Sequence, residues 1–81
     1  MNQIKEYDLV VLTEDTEVIH KETLKKILLR RGQVGTVLMD FHQEAFLIDF
    51  VDRDGVTYAM ETVTKENLIP LIYEPIELLA S

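Results

Sequence analysis

From Gly32 onward, apolar and polar positions alternate in the manner of a β meander. Val34 to Phe41 reads as one strand, His42-Gln43-Glu44 as its turn and Ala45 to Val51 as the next strand. In that second strand Phe46, Ile48 and Phe50 share one face and Asp49 takes the other, because successive side chains of a strand point to opposite sides. Asp52-Arg53-Asp54-Gly55 predicts a compact hairpin connection: an Asp can bond its neighbouring backbone, and Gly55 accepts positive φ without a Cβ clash. Val56 to Val63 is the partner strand. Thr64 to Asn67 predicts a single helical turn that the Thr64 hydroxyl would cap, and Leu68-Ile69 opens a last short strand. Pro70 has no N–H to donate and belongs at an edge or end of that strand, with Pro75 marking a further break.

The first third of the chain is less regular. Tyr7 to Leu12 is a short run rich in β-branched residues and reads as the first strand, followed by the polar loop Thr13 to Glu17. Between Val18 and Arg31, Leu24, Ile27 and Leu28 fall at i, i+3 and i+4, which predicts a short helix or helical turn that Gly32 would stop. A strand or extended loop competes there, since Ile27-Leu28-Leu29 alone fits either period. In Arg31 to Val37, two glycines three apart open a β-branched strand, which marks a tight entry into a small barrel. The order of these elements predicts a mainly β fold, a small five-stranded SH3-like barrel in which closure limits exposed strand edges.

With 81 residues, the chain is expected to form a single domain, its core at about 7–73 and a C-terminal tail at 74–81, near the lower size limit for one apolar core. The absence of cysteine removes disulfides and thiolate chemistry and points to a reducing cytoplasm. The N-terminus does not have the pattern of a signal peptide, and no apolar run approaches the roughly 20 residues of a membrane span.

The net charge of −7 is uneven. The segments up to Val18 and after Arg31 are acidic. Ile19 to Arg31 carries Lys21, Lys25, Lys26, Arg30 and Arg31 against Glu22 alone. These five cations are the candidate partner-binding residues, although a solvated basic edge is the simpler account.

Enumeration argues against catalysis, and no catalytic, cofactor-binding or metal-ligating residue is assigned. His20 and His42 have no zinc-site spacing. Ser81 is the only serine, and a terminal residue makes a poor nucleophile. Asp52 and Asp54 lack the remaining ligands of a calcium loop. Gly32 and Gly35 belong to no phosphate-binding motif.

Four blocks in order carry a resemblance: Asp8 to Leu12, Arg30 to Val37, Asp49 to Ala59 and Asn67 to Pro70. Together they resemble the bacterial domain-of-unknown-function family numbered 4926, which implies an SH3-like barrel and brings no catalytic residues. The longer basic stretch Val18 to Leu29 and the tail after Leu71 depart from that pattern. The Gly-x-x-Gly-x-Val shape is also locally similar to KOW-type modules.

The expected function is a non-catalytic protein-interaction module, antitoxin-like, immunity-like or accessory, with a protein partner encoded nearby. The alternative is an RNA- or DNA-binding barrel that uses Lys21 to Arg31, with Tyr58 or Phe41 stacking on bases. The apolar groups Leu71-Ile72-Tyr73 and Ile76-Leu78-Leu79 either pack back on the chain's own barrel or are exchanged between protomers, giving a homo-oligomer.

Overall fold

The computed structural model describes residues 3–79. Seven strands run in the order β1 (Leu9–Leu12), β2 (Thr16–Ile19), β3 (Lys26–Leu29), β4 (Val34–Phe41), β5 (Ala45–Val51), β6 (Thr57–Thr64) and β7 (Leu68–Pro70), with a 3-10 turn at Lys65–Asn67 before β7. They form a five-stranded antiparallel sheet, β6-β5-β4-β1-β7, and a separate ribbon, β2-β3. The mainly β expectation holds. The expected closed barrel does not: β6 and β7 end the sheet unpaired to each other, and the ribbon accounts for the two further strands.

The predicted helix between Val18 and Arg31 is the β2–β3 hairpin, with Val18 opposite Ile27 and Thr16 opposite Leu29. A period of two wins because Val18 and Leu29 are buried and Ile27 packs on the core cluster. Leu24, which anchored the helical spacing, sits at the hairpin tip at φ 60° and is 74% exposed. Gly32 therefore stops no helix; it takes φ 89° in the β3–β4 turn, where its N–H donates to Leu12 O at 2.7 Å.

One face of the sheet is the core. Phe46, Ile48 and Phe50 of β5, Val10 and Leu12 of β1 and Val37 of β4 are almost fully buried, and Val18 and Leu29 of the ribbon cover them from the other side. No polar or charged residue is buried among the described residues, so burial of apolar area is the dominant stabilising term. Gly35 is needed for space rather than φ: a Cβ there would lie 2.4 Å from Ile48 Cγ2.

Each turn has a local chemical cause. Asp52 Oδ1 accepts the N–H groups of Asp54 and Val56 at 2.8 and 3.0 Å, and Gly55 takes φ 81°. At the β4–β5 turn His42 and Gln43 both have positive φ, 59° and 62°, an unfavourable choice for residues with a Cβ. Asp40 holds Gln43 there, accepting its N–H at 2.7 Å and its Nε2 at 2.6 Å. The Thr64 hydroxyl makes no cap bond; it accepts Asn67 Nδ2 at 3.2 Å instead. The first strand starts at Leu9 rather than Tyr7, because Tyr7 lies in a turn at φ 71°.

Among the described residues, the tail from Tyr73 to Leu79 does not pack back on the body. Tyr73, Ile76, Leu78 and Leu79 are 86%, 88%, 87% and 96% exposed. The molecule measures 56 × 27 × 20 Å with a radius of gyration of 14.4 Å, against about 12 Å for a compact chain of this length.

Candidate functional site

The five basic candidates fall into two groups. Lys21 and Lys25 lie in the hairpin tip between β2 and β3, and Lys26 opens β3 beside it. Arg30 and Arg31 lie beyond the opposite end of the ribbon, where Thr16 pairs with Leu29. Three paired positions, Ile27 to Leu29, separate Lys26 from Arg30, about 13 Å along the strand. All five are exposed. Lys26 Nζ stands 3.8 Å from Glu17 Oε1, the one ion pair among the described residues, and with side chains 75% and 68% exposed it contributes little. The Arg31 N–H donates to Asp15 Oδ1 at 2.8 Å and the Arg30 N–H to Gln33 Oε1 at 2.9 Å, so their backbones serve the turn. An open depression of about 310 Å³ is lined by Arg30 to Gln33.

The hairpin tip docks on β6. The Lys21 N–H donates to Tyr58 O at 2.8 Å, and the His20 ring stacks on Tyr58 with centroids 6.0 Å apart and planes 26° apart. His20 Nδ1 accepts the N–H groups of Glu22 and Thr23, both at 3.1 Å, so this nitrogen carries the lone pair. Gln33 Nε2 donates to the Tyr58 hydroxyl. Tyr58 thus has one ring face against His20 and its hydroxyl against Gln33; Phe41 is 38% exposed. No three His, Cys, Asp or Glu side chains come together as metal ligands among the described residues.

Beyond Tyr58 the edge of β6 is open. Along an antiparallel strand, backbone groups point alternately to the two sides. The Tyr58 carbonyl faces away from β5, toward Lys21, so those of Met60 and Thr62 face the same open side. Next to that edge lies a groove of about 230 Å³, lined by Leu12, Leu29 and Val63 as apolar residues and by Glu14, Thr16, Glu61, Thr62, Thr64 and Asn67 as polar ones. The groove contains two carboxylates and no cation.

The sheet's other face is unusual for an antiparallel sheet, in which the solvent side is ordinarily polar. Ile69 pairs with Val11, Val11 with Val34, Met39 with Leu47 and Phe41 with Ala45, all on this outer side. Val34, Met39, Phe41, Met60 and Ile69 are each 38–53% exposed. Asp49 is the charged member of this face, and it accepts the Thr57 hydroxyl at 2.8 Å. Neither the groove nor this face was expected from sequence. The face had a signal: Val34 to Met39 and Ala45 to Val51 are nearly continuous apolar runs, which read as strands covered on both sides. The groove had none, since it joins residues from β1, β2, β3 and β6.

No helix among the described residues is long and apolar enough to cross a membrane. Residues 6–70 match the sequence profile described as a domain of unknown function, DUF4926. No curated protein and no solved structure matches the chain.

Proposed function

The chain belongs to the DUF4926 family, and from that premise we propose that it is a non-catalytic protein-interaction module receiving an extended, basic segment of a protein partner along the free edge of β6. The observation that carries this reading is the groove beside that edge. Its floor of Leu12, Leu29 and Val63 suits apolar side chains at alternate positions, and Glu14 and Glu61 suit Lys or Arg between them. Main-chain pairing supplies affinity and the groove supplies selectivity, the logic of strand addition. The net charge of −7 favours approach of a basic partner and repels nucleic acid. Such a module suits an antitoxin, an immunity protein or an accessory subunit acting in the cytoplasm on a partner encoded nearby.

The test compares nine-residue peptides alternating Thr, Val and Lys with counterparts carrying Glu for Lys, by fluorescence anisotropy at two salt concentrations. The basic peptide should bind, weaken with salt, and lose binding to Thr62→Pro. That substitution removes an outward N–H and leaves the β5 ladder untouched. Equal binding of both peptides, or full binding to Thr62→Pro, overturns the reading. Retention of mixed RNA or DNA at low salt, lost when Lys21, Lys25, Arg30 and Arg31 become Gln, would favour the nucleic-acid alternative instead.

A further inference from the structure

The outer face of the five-stranded sheet and the tail after β7 are both apolar and both uncovered among the described residues. We infer that they cover each other between two copies of the chain, the tail of each protomer lying across the outer face of its partner in a reciprocal dimer. Four observations lead there.

Face and tail are continuous. Ile69 pairs with Val11, and the Leu71 N–H donates to Leu9 O at 2.9 Å, so the apolar stripe runs from the sheet directly into the tail. The lengths also agree. Residues 72–79 reach about 26 Å when extended, and five strands span about 19 Å between the outer two axes, so one tail crosses one sheet.

The tail is not built to turn back on its own sheet. Leu71 to Leu79 contains no Gly, Asn or Asp, the residues that supply the positive φ of the tightest reversals. Pro75 makes a regular ladder along a strand edge unfavourable but is harmless in a segment that docks through side chains. Along an extended tail Ile72, Ile76 and Leu78 share one side and can face the sheet, while Glu77 lies on the other side, in water.

The area is sufficient. The three large side chains on that side, Ile72, Ile76 and Leu78, offer on the order of 400 Å² per protomer; counting the sheet surface they cover and the symmetric copy, about 1,600 Å² is buried, the size of a standard stable interface. Because the two contacts are related by a two-fold axis, the assembly closes and does not propagate into fibres. This inference is independent of the β6 groove, whose test reads peptide binding rather than mass.

Sedimentation equilibrium of the full chain at micromolar concentration should give a dimer. Deleting Glu74 to Ser81, which lies outside the matched residues 6–70 and outside the core, should give a monomer. The exposed-face change Val34→Glu should do the same without altering the cooperative melt. Since the chain has no cysteine, mixing a Met60→Cys chain with a Leu78→Cys chain should give the disulfide-linked pair on oxidation. A monomeric full chain overturns the proposal, as does a dimer that survives both the deletion and Val34→Glu. A chain carrying both cysteines that closes its disulfide internally at monomer mass overturns it as well.

Discussion

Gln43 Nε2 donates to the carbonyl of Ile4 at 2.8 Å, tying the β4–β5 turn to a segment 39 residues earlier. The same nitrogen reaches Asp40 Oδ2, so both of its protons meet acceptors. That explains a residue with a Cβ at φ 62°: the side-chain bonds offset the backbone cost. Gln43→Ala keeps the strain and loses the bonds, and should lower stability by about 1–2 kcal/mol. Gln43→Gly relieves the strain and should lower it less. Gln43→Glu places acceptor against acceptor and should be the worst of the three. Urea titration ranks them; hydrogen exchange at the Tyr7 N–H, bonded to Val37 O at 2.7 Å, should accelerate with Gln43→Ala.

Gly35→Ala should cost about 1–3 kcal/mol through overpacking against Ile48 Cγ2. The clash is with the β-branch methyl, so Ile48→Leu, which moves the branch one carbon outward, should recover at least half of that cost in the double variant. A double-mutant cycle by thermal melting reads the coupling. Additive losses would show that Phe50, whose Cε1 is 2.9 Å from the same point, is the obstacle instead.

His20→Ala removes the acceptor of two turn N–H groups and the stack on Tyr58. A loss of about 1 kcal/mol is expected, with faster exchange of the Lys21 N–H. His20→Asn restores an acceptor at similar reach without an aromatic face. It should slow exchange at Glu22 and Thr23 toward wild type and leave Lys21 exposed to exchange, separating the turn from the docking.

Asp52 acts in the turn, its Oδ1 accepting the N–H groups of Asp54 and Val56. Asp52→Asn keeps an acceptor for Asp54 and Val56 and should be nearly neutral, while Asp52→Ala should lose about 1 kcal/mol. Added calcium should leave the melting temperature of the wild type unchanged; a rise abolished by Asp52→Asn would contradict this.

The legible part of the fold is where strand period, turn chemistry and burial agree. β4 and β5 have the predicted limits, β6 is offset by one residue, and the Asp52–Gly55 turn closes through the Asp side chain as expected. The β2–β3 ribbon is ambiguous in sequence because Ile27-Leu28-Leu29 satisfies both periods, and the contacts that decide it, those of Val18, Ile27 and Leu29 with the core, are tertiary. Closure failed as an expectation because strand order alone does not determine whether edge strands meet. The five basic residues are a cluster in sequence alone, since the hairpin places the two ends of the run apart. The exposed tail was visible as surplus apolar length, and its relation to the outer face required knowing that Ile69 and Leu71 share the outer side with Val11 and Leu9.

The pairing of β1 with β7 also fixes how the molecule resists force. The strands are antiparallel, so Leu9, where β1 begins, lies beside Leu71, just past the end of β7. Tension applied through the two ends of the chain therefore enters this pair at one rung and opens its hydrogen bonds in succession, whereas a shear geometry would load them together. On the C-terminal side β7 peels at low force, while on the N-terminal side the pull reaches β1 only after the Ile4–Gln43 tie and the Tyr7–Val37 bond have given way. A partner or protease that draws on the tail thus strips the last strand first and exposes β1, leaving the β4–β5–β6 meander standing.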